Sequence, residues 1–376
     1  MATEETPLIE VTDTGLRQTV SPFSRWTPVE VLVILNTVAV IITVPVQYYY
    51  VIDETAKKYG QSHITRHADL SCHPSNFSNV NHTSDSSLII QKEATEILMY
   101  LGFCSSFGSI VPIFILGYLS DYIGRRIVWI ISVSGTLIKG LILLLTILLH
   151  LPIWVLYIGQ IIFALTGTYN GAMVSIFATI ADVTPPGKSR SFRITLVQGT
   201  GMLTAAATIY GMGYWIWTEK YYEPIIMALF ISILSIILSV FILKDSSGTD
   251  SKRKELLGPL KIYLRNVSNQ NRRRKMLLCL CIFLLSSSCL NGKLEYQTLF
   301  LMHKPVCWNE FNIQVMHAVQ TLVNTLCVIG IVRLLLRFTQ DTVILIVGSI
   351  SGVVSMAIFG TAVNGYMVYL RKYISC

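Results

Sequence analysis

Nine apolar stretches, divided by polar connections, take up most of this chain. They cover residues 29–50, 93–119, 127–149, 152–181, 191–217, 222–243, 276–302, 311–334 and 342–368. Each reaches the roughly 20 residues that cross a hydrocarbon core about 30 Å thick. A segment in lipid must satisfy its own backbone N–H and C=O groups, so each stretch is predicted to be helical. The pattern therefore predicts an all-α membrane protein with nine transmembrane helices. Residues 1–27 contain no apolar run and do not read as a cleaved signal peptide.

The polar connections alternate in charge. Arg125 and Arg126 lie between the second and third stretches, and Lys188, Arg190 and Arg193 between the fourth and fifth. The longest basic run, from Lys252 to Lys275, lies between the sixth and seventh, and Arg333 and Arg337 between the eighth and ninth. Basic connections collect on the cytoplasmic side, so these loops and the N-terminus are predicted to be cytoplasmic. The chain then divides into a tail (1–27), a six-helix bundle (28–244), a basic linker (245–275) and a three-helix second bundle (276–376). The loop at 51–92 faces outward. It carries the sequons at Asn76 and Asn81, which predict glycosylation. Cys72 and Cys307 both fall in outward loops, where an oxidising compartment permits a disulfide between them.

Composition narrows the function. Hydrophobic residues make up 52% of the chain and charged residues 13%, about half the share of a soluble protein. The net charge of +8 is then a topology signal, not a nucleic-acid footprint. No phosphate-binding glycine loop, nucleophile elbow or metal-ligand cluster stands in the sequence, so neither an enzyme nor a cofactor is expected.

Residues 117–126 read Gly-Tyr-Leu-Ser-Asp-Tyr-Ile-Gly-Arg-Arg. This resembles the signature joining the second and third spans of major facilitator transporters. The resemblance implies a gating role for Gly117, Asp121, Gly124, Arg125 and Arg126. Asp121 is suited to accept charge-assisted hydrogen bonds from Arg125, and to sit near a helix N-terminus of the other half. Ile180-Ala-Asp-Val183, Ser189-Arg-Ser-Phe-Arg193 and Pro305-Val-Cys-Trp308 resemble elements of solute carrier family 46. That resemblance implies a major facilitator fold and alternating-access transport. Folate-transporting members carry acids where this chain has Gln198 and Thr168, and an arginine where it has Gln160, so their proton coupling does not carry over. Facilitators have twelve spans against nine here. The chain is accordingly expected to be an alternative product or an incomplete gene model.

Ionisable residues inside a span are functional candidates by default. Lys139 lies near the middle of the third stretch, and Lys293 and Glu295 lie in the seventh. The last two are about 200° apart on a helix and do not share a face. His317, Gln320 and Asn324 do share one face of the eighth stretch. Gln160, Tyr169 and Asn170 are candidate substrate hydrogen-bonders, and Gln198 joins the same pathway set. Gly199, Gly201, Ala205, Ala206, Ala207 and Gly211 read as close-packing positions. Residues Glu4 to Ile9 resemble an acidic dileucine signal for sorting adaptors, which leaves plasma membrane and endolysosomal membrane both open. Two functions remain: a secondary transporter of a small organic solute, with an anionic cargo and proton symport left open, or a non-transporting receptor or regulatory product of a transporter gene.

Overall fold

The computed structural model describes residues 28–59, 80–184, 188–217, 221–243, 310–327 and 341–360, with scattered positions between 274 and 330. The described chain is all helical. In order, the helices are α1 (Val29–Lys58), α2 (Val80–Tyr122), α3 (Arg125–Leu148), α4 (Val155–Leu165), α5 (Thr168–Val183), α6 (Lys188–Trp217), α7 (Tyr222–Ile242), α8 (Glu310–Cys327) and α9 (Asp341–Gly360). Five helical segments are long and apolar enough to cross a membrane: Val29–Lys58, Lys92–Tyr122, Arg125–Leu148, Val155–Val183 and Tyr222–Ile242. The nine expected spans are thus only partly reproduced among the described residues. The interior of α6 carries Gln198 and a run of threonines and glycines, which lowers its hydropathy although it has 30 residues.

The fourth stretch departs from expectation. It is two helices, α4 and α5, meeting at Thr166-Gly167-Thr168. Gly167 has φ +84° and Thr168 has φ +57°, both left-handed. A Cβ at Gly167 would come within 2.4 Å of Leu116 Cδ1 on α2. Glycine is therefore required there twice, for conformation and for space. Local bonds satisfy the broken ladder, as apolar surroundings demand: Thr166 N–H to Ile162 O, Gly167 N–H to Ala164 O, and Gly171 N–H to Gly167 O at 2.7 Å.

The connection between α1 and α2 is also shorter than expected. α1 continues to Lys58 and α2 begins at Val80, so helix claims both ends of 51–92. Lys57 lies against Asp53 and Glu54 one turn back. Lys58 Nζ and the Tyr59 hydroxyl both donate to Glu93 at 2.6 Å, joining the two extensions. Asn81 falls in the first turn of α2. Asn76, Cys72 and Cys307 lie outside the described residues.

Within the first bundle, α1 packs on α6 and α7, and α3 on α4, α5 and α7, while α2 lies against α4 and α1. One core cluster gathers Ile42, Val46, Tyr49, Leu101, Leu143 and Ile225. A second gathers Val29, Leu32, Trp129, Val133, Ile176 and Val197. Helix α8, from beyond the basic linker, packs most extensively against α6.

Candidate functional site

The α2–α3 turn is built by the signature itself. Gly124 has φ +113°, a conformation that only glycine adopts readily, and it lets α3 start at once at Arg125. Arg125 Nη1 then sits 2.5 Å from Asp121 Oδ1 and donates to Ser120 Oγ at 2.8 Å. Its Nε donates to Asp182 Oδ2 at 3.1 Å, and its carbonyl accepts from Ser175 Oγ at 2.6 Å. The guanidinium is mostly buried, whereas both carboxylates are about half exposed. Arg126 Nη1 reaches the Val240 carbonyl near the end of α7. Arg190 Nη2 donates to the Ala181 and Thr184 carbonyls, both at 2.8 Å, closing the C-terminus of α5. A cation at a helix C-terminus is favoured by both the free carbonyls and the dipole.

Five helices of the first bundle are thereby tied at one end, which bears the basic connections. All described partners of Asp121 and Arg125 lie in this bundle. Gly117 has only ordinary contact with Val174, at 3.9 Å from a would-be Cβ. Asp182 and Arg190 carry as much of the network as Asp121 does. In the sequence they stood inside family-resembling motifs, with nothing to assign their partners.

The remaining candidates divide by depth. Lys139 is 7% exposed, its ammonium 4.9 Å from the centre of the Phe163 ring. Gln160, one turn earlier on α4, is equally buried, and its Oε1 has no hydrogen-bond partner. The Tyr169 hydroxyl lies 3.2 Å from Thr37 Oγ1 on α1, beside Gly201 of α6. Asn170 and Gln198 are exposed, on α5 and α6. These residues do not form one described constellation: Lys139 and Gln160 lie at the α3–α4 contact, and Tyr169 at the α1–α5–α6 contact. Lys293 and Glu295 lie outside the described residues.

On α8 the three polar residues differ in their surroundings. Gln320 is buried and accepts from Gln297 Nε2 at 3.0 Å, tying the seventh stretch to the eighth. His317 and Asn324 are half-buried on the same helix. Gln314, which sequence reasoning missed, reaches across to the first bundle: its Nε2 lies 3.5 Å from the Tyr49 hydroxyl. An open groove of about 380 Å³ between α2 and α4 is lined by Phe103, Cys104, Phe107, Gly108, Ile161, Ala164 and Leu165. It offers almost no polar group, so it is unsuited to orient a polar cargo.

The family model for the Major Facilitator Superfamily matches residues 80–373. The chain belongs to this superfamily. Among its relatives is the proton-coupled folate transporter of Bos taurus, 26% identical over 89% of this chain and 72% of that protein. A lysosomal proton-coupled steroid conjugate and bile acid symporter of Mus musculus is 25% identical over 75% of this chain and 63% of that protein. Both are similar to this chain, in keeping with the solute carrier family 46 resemblance. The fold matches the xylose transporter XylE from E. coli in a partially occluded inward open conformation, with a TM-score of 0.53 and 14% identity. That match covers 93% of this chain and 83% of the transporter. The superfamily chain described here is thus a multi-pass membrane protein of a transporter family, and not an enzyme.

Proposed function

We propose that this chain is a secondary transporter of an organic anion, driven by protons, working by alternating access. The observation that carries the cargo class is Lys139. Away from their ends, the first six apolar stretches contain no other charged side chain. The lysine is buried against an aromatic face, and no carboxylate is described as its partner. A fixed cation at membrane depth needs a counter-charge, and a cargo carboxylate or sulfate supplies one. The two relatives named for folate and for steroid conjugates and bile acids carry anionic cargoes, which supports the same class. The broken α4–α5 helix supports transport too, because interrupted helices at membrane depth mark binding regions in transporters.

In this reading the basic end is cytoplasmic. Glu295 exchanges the coupled proton, and Gln160, Tyr169, Asn170 and Gln198 contribute polar contacts along the path. Glycans at Asn76 and Asn81, a Cys72–Cys307 bridge and adaptor binding at Glu4 to Ile9 belong to the same proposal.

The test is uptake of labelled bile acid and labelled folate by purified protein in liposomes, with and without an inward proton gradient. Gradient-driven uptake that falls at least tenfold in Lys139→Gln is expected. Uptake unchanged in Lys139→Gln would remove the anion argument. No uptake of any anion tried, from protein shown to be folded, would favour a receptor-like role.

A further inference from the structure

We propose that Gly213, Gln314 and Tyr49 form the seal that closes the end of the molecule opposite the basic connections. This rests on the alternating-access reading and names the residues that perform one half of it. Gly213 lies near the end of α6, Tyr49 in the last membrane turns of α1, and Gln314 in the first turns of α8. Helix order puts all three at the same end, remote from Asp121 and Arg125. A Cβ on Gly213 would stand 3.0 Å from Gln314 Cβ and 3.6 Å from Phe311 Cδ2. The backbone of α6 therefore lies directly against the Gln314 side chain at this point, and any residue larger than glycine would push α8 outward. Gly211, two residues away and so about 200° round the helix, meets nothing within 4 Å, which puts Gly213 and not Gly211 on the face turned to α8.

Tyr49 completes the contact. It is 1% exposed, packed edge-on against Tyr48, and its hydroxyl faces Gln314 Nε2. Next to Gly213, Met212 is 1% exposed in the same core cluster as Tyr49. One side chain of the second bundle thus rests on two helices of the first, through a neutral hydrogen bond and a steric notch. Such a joint costs little to open, because no buried charge is left unpaired when it parts. That suits a seal that must break and reform in every transport cycle.

The experiment pairs cysteines at Gly213→Cys and Gln314→Cys in the full chain, with Gly211→Cys plus Gln314→Cys as the control. Disulfides need Cβ atoms about 3.8 Å apart; the 3.0 Å separation here is shorter, so a small outward shift of α8 brings the pair into range. The test pair is expected to cross-link under mild oxidation, read by mass spectrometry of the linked peptides, and the control pair is not. Cross-linking should reduce bile acid uptake at least tenfold, and reductant should restore it. A second readout is independent of transport. A membrane-impermeant maleimide applied from the outer side should label Gln198→Cys at least fivefold more slowly in the cross-linked protein than after reduction. Failure to cross-link, or cross-linking as efficient in the control, overturns the contact. Efficient cross-linking with unchanged labelling overturns the seal. Changed labelling in a protein that transports neither probe keeps the seal and counts against the transport reading.

Discussion

The two ends of the helical bundle are closed by different chemistry. At the basic end, one buried guanidinium joins Asp121, Asp182 and Ser120, and its neighbours Arg126 and Arg190 fasten the ends of α7 and α5. Every described link there is internal to the first bundle. At the opposite end, Gln314 touches Tyr49 and crowds Gly213, and this link joins the two bundles without a charge. Among the described residues, then, the charged links lie within the first bundle and the neutral one crosses between bundles. Asp121 keeps its carboxylate half exposed. It retains acceptor capacity for a further partner, as the proposed latch requires.

Arg125→Ala should have the largest effect. It removes three side-chain partners at once and leaves two carboxylates without their shared cation. A charge-assisted hydrogen bond contributes about 1.5–3 kcal/mol. Because both acids are half exposed, a discounted loss of about 1–2 kcal/mol is expected for the first bundle. Thermal denaturation in detergent checks this. Arg125→Lys should recover less than half of the loss, since a single ammonium cannot reproduce the fork. High salt should weaken this end and leave the neutral joint unaffected.

Gly213→Val should come next and act in the opposite way. It places a branched side chain where a single Cβ is already crowded, at a cost of about 1–3 kcal/mol for the closed joint. Denaturation of the first bundle should be nearly unchanged, but outer-side labelling of Gln198→Cys should rise severalfold. A large loss of fold stability instead would mean that Gly213 belongs to the core of one rigid body.

A smaller and more discriminating comparison is Asp121→Asn against Asp182→Asn. Both weaken the Arg125 contact, so both should lower stability by about 0.5–1 kcal/mol. Only Asp121→Asn should also change accessibility at the basic end, measured by maleimide labelling from that side. Equal accessibility in the two variants would assign Asp121 a purely internal role. Tyr49→Phe should have the smallest effect, at most a threefold change in outer-side labelling, because the hydrogen bond lost is neutral and long.

What the sequence made legible was local. The Asp121–Arg125 pair and the turn at Gly124 lie within a few residues of one another, so spacing was enough to find them. Asp182 could not be paired with Arg125 from sequence, since 57 residues separate them. The break in the fourth stretch hid in an apolar run, where Thr-Gly-Thr passes as tolerated polar content. Two β-branched residues around a glycine were the signal that went unread. The extensions of α1 and α2 were missed because hydropathy falls at the membrane edge, although helix continues wherever side-chain pairs such as Lys57–Glu54 and Lys58–Glu93 support it. Among the small residues of α6, Gly201 does approach Val33 and Tyr169 as expected, but Gly211 faces open space and Gly213 makes the closer contact. Which glycine a neighbour presses against depends on helix rotation, and composition does not encode that.

The most direct test of the contrast between the two ends is a pair of spin-label distances measured by pulsed electron resonance. One pair joins Tyr122→Cys and Val183→Cys, exposed ends of α2 and α5 flanking the Arg125 network. The other joins Trp154→Cys, at the opposite end of the first bundle, to Asn312→Cys on α8. Measured in liposomes with and without bile acid and a proton gradient, the first distance should stay constant while the second broadens or shifts by several ångströms. A first distance that moves as much as the second, or a second that never moves, would contradict the account.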